Sequence, residues 1–347
     1  MSYLERLLCE HHLNKEECMA LLADWEDPVL RTRLQEEAVR LRKRVYQDKV
    51  FIRGLIEYTN YCKNNCNYCG IRRGNPNVKR YRLTLEEILS CCRKGYELGF
   101  RTFVLQGGED PYFTDARMEE ILRAIRREFA DCAITLSIGE KSYESYRRLK
   151  EAGADRYLLR HETANEEHYR CLHPAELQCA NRKQCLYNLK ELGFQVGAGF
   201  MVGSPGQTME HIAEDLVFLQ ELRPQMIGIG PFIPHHDTQY AKEPAGSVDL
   251  TLFLLSVLRI LFPSVLLPAT TALGTMDPMG REKGFCAVAN VVMPNLSPVE
   301  NRKNYELYDN KIKADDDTAK TLAQFAMHAE HVGYRLVVER GDHVEIE

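Results

Sequence analysis

Nowhere does the 347-residue sequence carry an apolar run approaching the ~20 residues that cross a bilayer as a helix. No membrane partner is therefore expected. The opening stretch MSYLERLLCEHHLNKEE is too charged for a secretory signal, which leaves the cytoplasm as the default location. Dense basic runs are also missing: 45 Lys and Arg face 50 Asp and Glu, a formal charge of −5. Nucleic acid has nothing to hold electrostatically, and a small-molecule partner is expected instead. With 44% hydrophobic residues, the chain can bury a large core in one domain or two smaller ones. Cysteine is not scarce. In a cytosolic chain of this length, 12 cysteines with clustered spacing read as metal binding or redox chemistry before disulfides.

Residues 1–48 predict a helical extension, with Leu4, Leu7, Leu8, Leu30, Leu34 and Val39 set among Glu, Arg and Lys. Beyond them, short β-rich runs alternate with amphipathic stretches. The strand candidates are VFIRGLIEYT, RTFVLQ, AITLSI, DRYLLR, FQVGAGFMV, MIGIG, SVLLPA and FCAVANVVM. ELGF occurs at 97–100 and again at 191–194, each time as a helix stop with glycine past the last turn. Strands separated by helices over residues 49–300 predict an α/β fold, a complete (β/α)8 TIM barrel of about the usual 250 residues. Residues 301–347 are expected to form a short C-terminal segment closing it. An open doubly wound sheet accommodates the same alternation. In a barrel the loops after the strands share one rim, which gathers the cysteine run, GGEDP, RHET and PATT.

The segment YTNYCKNNCNYCG places Cys62, Cys66 and Cys69 three and two residues apart, directly after the first strand candidate. Structural zinc wants a fourth Cys or His nearby, and GIRRGNPNVKRYR offers neither. A zinc site completed by a distant His, or three incidental cysteines, remains as the alternative. A cubane iron–sulfur cluster held by three thiolates leaves one iron open for another ligand.

Other rim residues have chemistry of their own. Gly107 and Gly108 allow backbone to approach a ligand closely, or simply form a strand-to-helix turn. Arg160 and Glu162 flank His161 and, on extended backbone, point to the same side. There they offer a carboxylate fork and an acceptor, or bridge each other, while His161 faces packing. GAGFMVG nearly spells a dinucleotide fingerprint, but Val202 replaces its third glycine, and that reading is rejected. Thr270 and Thr271 place two hydroxyls where a barrel mouth holds a polar or anionic ligand, or satisfy a local turn. His235 and His236 are a weak metal pair, with only Asp237 as a carboxylate close in sequence.

CKNNCNYC resembles the CxxxCxxC signature of the radical S-adenosylmethionine (SAM) superfamily, with Tyr68 at the aromatic position before the last cysteine. RGLIEYTNYCKNNCNYCGIRRGN, VLQGGEDPY, EAGADRYLLRHETAN, GAGFMVGSPGQT, IGIGPFIPH, LPATTALGT, ANVVMPN and YELYDNKI resemble, in order, the HydE family of [FeFe]-hydrogenase maturases in the biotin-synthase-like branch. The resemblance implies a [4Fe-4S] cluster on Cys62, Cys66 and Cys69, and SAM bound at its open iron. Reductive cleavage of that SAM gives a 5′-deoxyadenosyl radical. It implies SAM contacts at Tyr68, Gly107, Gly108, Glu162 and Arg182, with adenine beside Met201, which is otherwise core filler. It implies a substrate, an iron carbonyl cyanide cysteine complex, met by Arg160, Met226, Thr270, Thr271 and Tyr305. Arg160 and Tyr305 take the catalytic roles, although a merely packed tyrosine fits the same position. Implied partners are an external electron donor and the maturases HydG and HydF.

Two departures qualify the resemblance. Some members carry a second cluster near the C-terminus, but the last cysteine here is Cys286 and NKIKADDDTAKTLAQ has none, so none is expected there. Phe200 stands where a smaller polar residue is usual and is expected to face the SAM and substrate chamber. The rival readings are a methylornithine-synthase-like mutase acting on lysine and a non-catalytic iron–sulfur scaffold.

Overall fold

The computed structural model describes residues 2–312 and 317–345. Three helices come first: α1 (Tyr3–Glu10), α2 (Lys15–Ala23) and α3 (Pro28–Tyr46). The side chains of Ser2 and Asn14 accept from the amides of Glu5 and Glu17, whose carboxylates return the bond. Asp27 caps α3, with Pro28 at its first position.

Strands and helices then alternate. The first half contains β1 (Lys49–Ile52), β2 (Gly54–Thr59), α4 (Leu85–Glu97), β3 (Thr102–Gly107), α5 (Asp115–Glu128), β4 (Ala133–Ser137), α6 (Tyr143–Glu151), β5 (Arg156–Leu158), α7 (Glu166–Leu172) and α8 (Cys179–Glu191). The second half contains β6 (Gln195–Ala198), β7 (Met201–Val202), α9 (Met209–Leu222), β8 (Met226–Ile227), β9 (Gly230–Pro231), α10 (Val248–Leu261), α11 (Thr271–Met276), α12 (Gly280–Cys286), β10 (Val291–Val292), α13 (Val299–Arg302), α14 (Thr318–His331) and β11 (Arg335–Val337). Gly99 and Gly193 take φ of +92° and +74° just past α4 and α8, the left-handed stop that both ELGF segments predict.

Six strands pair in parallel in the order β2-β3-β4-β5-β6-β8. Two short stretches complete the ring. Met226 bridges Leu266, Pro268 bridges Val291, and Leu55 bridges Asn295. The Ile227 amide donates to Leu266 O at 3.0 Å, Ala269 to Val291 O at 2.9 Å, and Leu296 back to Leu55 O at 2.7 Å. The eight-stave barrel is thus complete, and strands such as β3 and β4 are buried almost throughout because helices cover their outer faces.

Three strand expectations are corrected. The first candidate is two strands: β1 leaves the barrel to join β10 and β11 in a second parallel sheet. The break falls at Arg53, whose buried guanidinium donates to Met226 Sδ at 2.9 Å and Gly341 O at 3.2 Å. FCAVANVVM is strand only at Val291–Val292, since Phe285 and Cys286 end α12 and the chain turns through Val288 at φ 111°. FQVGAGFMV breaks at Gly199, φ 149°, and its last residues pair with β9 in a separate two-stranded ribbon.

The floor of the barrel is sealed by the C-terminal tail. Arg340 O accepts from Thr102 Oγ1 at 2.7 Å and Arg156 Nη2 at 2.9 Å, and Asp342 pairs with Arg156 at 2.5 Å. Access is left to the opposite rim. Among the described residues, no helix is long and apolar enough to cross a membrane.

Candidate active site

The chain leaves β2 at Thr59 and runs into the cysteine loop, which is tied down before any ligand arrives. Asn60 Nδ2 donates to Lys79 O at 2.9 Å and Asn304 O at 2.6 Å. Arg80 donates to Asn60 O at 2.5 Å, Ile71 O at 2.7 Å and Arg72 O at 2.6 Å. The Gly70 amide donates to Leu307 O at 2.9 Å, coupling the loop to the C-terminal segment. Gly108 is needed here for an unforeseen reason. A Cβ on it would lie 2.2 Å from Tyr61 O and 2.8 Å from Cys62 Cβ, so its bareness makes room for the thiol loop's own backbone.

The three thiols are free and partly exposed. Burial raises the pKa of all three, to about 12 at Cys69, and each neighbouring thiolate opposes the next at Cys66 and Cys69. Three adjoining thiolates thus need positive charge from a metal centre. Their spread fits a cluster better than one ion. Thiolates on a single zinc at ~2.3 Å would lie about 3.8 Å apart. Yet the one group of three or more metal-ligating side chains among the described residues with every ligand atom within 4.8 Å is His235, His236 and Asp309.

Next to the loop, inside the barrel mouth, is a cavity of about 270 Å³. It brings together Tyr68, Cys69, Arg160, Glu162, Met201, Met226, Thr270 and Thr271. Tyr305 lies on the wall of an adjoining chamber of about 390 Å³, buried, with its hydroxyl accepting from Gln106 at 3.4 Å. Gly107, Gly108 and Arg182 are not on the cavity wall. Arg182 sits behind Tyr68 and Cys66 on α8, 2.7 Å from Glu140. Met226 reaches the cavity with its sulfur held from below by Arg53. The Tyr68 hydroxyl is 3.3 Å from His173 Nε2.

Arg160 and Glu162 do project together, 3.1 Å apart. The arrangement rests on strain: Glu162 has φ +66°, a left-handed backbone that costs a branched-free side chain on the order of 1 kcal/mol. His161 holds that bend from behind. Its Nδ1 accepts from the Gly199 amide at 3.3 Å and its Nε2 lies 3.2 Å from Asp215 Oδ1, which also accepts from Ala164 at 2.5 Å. Burial lowers the His161 pKa to about 3 and raises that of Asp215. Phe200 corrects the expectation: it is fully buried in the core beside His161, ring centroids 6.0 Å apart, and does not line the cavity. The bend at Gly199 turns its side chain outward.

Several buried polar atoms here have no hydrogen bond. Arg160 Nε and Thr270 Oγ1 have no partner at all among the described residues, while Arg160 Nη2 and Glu162 Oε2, and Arg182 Nε and Glu140 Oε1, stand at ion-pair distance without the alignment of a hydrogen bond. Buried polar atoms normally find partners; on the cavity wall, the misaligned Arg160–Glu162 pair and the free Thr270 hydroxyl fit a zwitterionic ligand such as SAM beside the thiols.

Sequence reasoning missed Glu57, Lys311 and Arg281. A carboxylate within the apolar strand GLIEYT was the only hint of Glu57, which is fully buried and accepts from Lys311 at 2.6 Å and Asn295 at 2.7 Å. The fold adds Asp309 to the His235–His236 pair, bonding His236 Nδ1 at 2.6 Å. His235 Nδ1 accepts from the Asp237 amide, so its lone pair is already used and the trio is an ion-paired clasp. Of NKIKADDDTAKTLAQ, residues 313–316 lie outside the described residues.

A closed barrel with a three-thiol loop after its first stave is the architecture of radical SAM enzymes, and the Radical SAM superfamily model matches residues 56–219. The chain is 49% identical to "[FeFe] hydrogenase maturase subunit HydE" of Thermotoga maritima, over 81% of this chain and 80% of that one. It is 27% identical to the 3-methylornithine synthase of Methanosarcina acetivorans, over 87% and 86% of the two chains. The crystal structure of methylornithine synthase (PylB) superposes with a TM-score of 0.82 at 26% identity, covering 97% of each chain. The chain belongs to the HydE family of radical SAM enzymes. Its family uses a [4Fe-4S] cluster and SAM.

Proposed function

We propose that the protein acts on an iron carbonyl cyanide cysteine complex during assembly of the [FeFe]-hydrogenase diiron centre. The observation that carries the reading is one cavity holding both Cys69 and the unaligned Arg160–Glu162 pair, in a chain 49% identical to a maturase of that name. Cys62, Cys66 and Cys69 would hold the cluster, since residues 60–81 contain no further Cys or His. When bound, cluster and SAM supply a 5′-deoxyadenosyl radical after reduction by an external donor.

The chain's own residues do the rest. Tyr68 and Met201 pack beside the thiol loop and Glu162 offers an acceptor to an ammonium group, with Arg182, Gly107 and Gly108 supporting that end. Arg160 presents a guanidinium fork to the carboxylate of the substrate's cysteine. Thr270 and Thr271 offer hydroxyls on the facing wall, and Met226 packs below. Tyr305, buried and with its pKa raised by that burial, keeps its phenolic proton and donates it as a hydrogen bond at the edge of the chamber. Leu307, Tyr308 and Lys311 border the cavity and screen it from water. Location in the cytoplasm, and exchange of cargo with HydG and HydF, complete the proposal.

Anaerobically reconstituted protein supplied with SAM, reductant and either the iron–cysteine complex or lysine tests it. The complex should be consumed with formation of 5′-deoxyadenosine. Conversion of lysine to methylornithine would refute the maturase assignment.

A further inference from the structure

The charges around the cavity do not cancel. Arg160 faces Glu162 at 3.1 Å and Lys311 faces Glu57 at 2.6 Å, which accounts for four of the five charged side chains on its wall. The fifth is Arg281. It has no carboxylate partner and no hydrogen bond among the described residues, and its Nε is buried and unbonded. Its guanidinium lies over the ring of Phe325, 4.5 Å from the centroid. Thr270 Oγ1, also buried and unbonded, shares this cavity. Arg281 is half-buried, and where fully buried arginines such as Arg42 and Arg259 lack a carboxylate they donate to backbone carbonyls; Arg281 has neither, and a ligand that brings an anion to the cavity would supply the missing partner. A bound SAM does not bring it, because its sulfonium leaves it with a net positive charge.

We infer that Arg281 is the receptor for a second anionic group on the substrate, separate from the carboxylate assigned to Arg160. The inference rests on the function proposed above and narrows its substrate class. The molecule must present two anionic poles, one to each arginine, and hold no cationic arm against that wall. An anionic metal complex carrying an amino-acid carboxylate meets this requirement. Lysine, with one carboxylate and a terminal ammonium, does not.

Two measurements on the full chain separate this inference from the function it rests on. The first is anomalous diffraction from crystals soaked in sodium bromide, a probe that needs no turnover. Wild type should show bromide against Arg281, Arg281→Gln should lose it, and Arg281→Lys should keep it. No bromide there in wild type, or an unchanged site in Arg281→Gln, overturns the inference. The second is kinetic, with the iron–cysteine complex as substrate. Arg281→Gln should raise KM by about tenfold or more, the scale of one lost charge-assisted bond, with the smaller part of the loss in kcat, and Arg281→Lys should recover most of it. A loss confined to kcat, or no rescue by lysine, counts against it. Wild-type protein that ignores the complex yet binds bromide at Arg281 would overturn the proposed substrate and leave the anion site standing.

Discussion

One methyl group added at Gly108 should disable the protein without unfolding it. Gly108 does not occupy the left-handed region, so alanine is acceptable to its backbone. The obstacle is spatial. The new Cβ would lie 2.2 Å from Tyr61 O and 2.8 Å from Cys62 Cβ, whereas carbon contacts settle at about 3.5 Å or beyond. One side must retreat by about 1 Å. The Gly107 end is paired into the barrel sheet next to β2, whereas the thiol loop belongs to no sheet and hangs on separate bonds such as Lys63 N to Glu109 O at 2.8 Å and Gly70 N to Leu307 O at 2.9 Å, so the loop yields. Overpacking of this kind costs about 1–3 kcal/mol, too little to unfold a barrel of this size. A displacement of that size at a reacting centre costs on the order of 100-fold in rate. Gly107→Ala is the internal control. Its nearest obstacles are side-chain atoms, Thr59 Cγ2 at 2.8 Å and the Tyr58 ring at 3.0 Å, and its loss should stay below about tenfold. The assay is 5′-deoxyadenosine formation per cluster, beside iron content and a thermal melt. Gly108→Ala protein with full iron content and near wild-type cleavage would refute the steric argument.

Replacing Cys62, Cys66 or Cys69 singly by Ala should abolish the iron–sulfur absorbance and SAM cleavage together, and retention of both in any variant contradicts the ligand assignment. Arg160→Ala should weaken use of the substrate more than SAM cleavage; equal losses would move Arg160 to the cofactor. Lys311→Met strands the buried Glu57 carboxylate with Asn295 alone, and removing one member of a buried pair costs about 3–5 kcal/mol. Urea unfolding should show that drop, and Glu57→Gln in the same chain should restore much of it. An unchanged midpoint would mean the pair carries no stability.

The barrel was legible because its signals are local. Alternating strand and helix patterns and the two ELGF stops each fit within a short window and keep their meaning in the folded chain, and the Cys62–Cys66–Cys69 spacing is equally local. What escaped depends on contacts remote in sequence. Arg53 splits the first strand through a bond to Gly341, 288 residues away, and Glu57 meets Lys311 across 254 residues. Neither side chain announces its partner. Phe200 misled because an even strand was assumed through GAGFMV, and the bend at Gly199 reverses which face it shows. Arg281 lies in the run REK, where nothing distinguishes a half-buried cation with no hydrogen-bond partner among the described residues from an exposed one. The sequence pairing of His235 and His236 was visible, while Asp309, which occupies His236, is brought in only by the fold.

The central claim is that three side-chain thiolates hold a cubane whose remaining iron is left for SAM. Electron paramagnetic resonance of anaerobically reconstituted, reduced protein, recorded with and without SAM, tests it most directly. The account predicts a [4Fe-4S] signal that shifts when SAM is added. A zinc-loaded loop with no such signal, or a cubane signal indifferent to SAM because every iron already has a side-chain ligand, would contradict it.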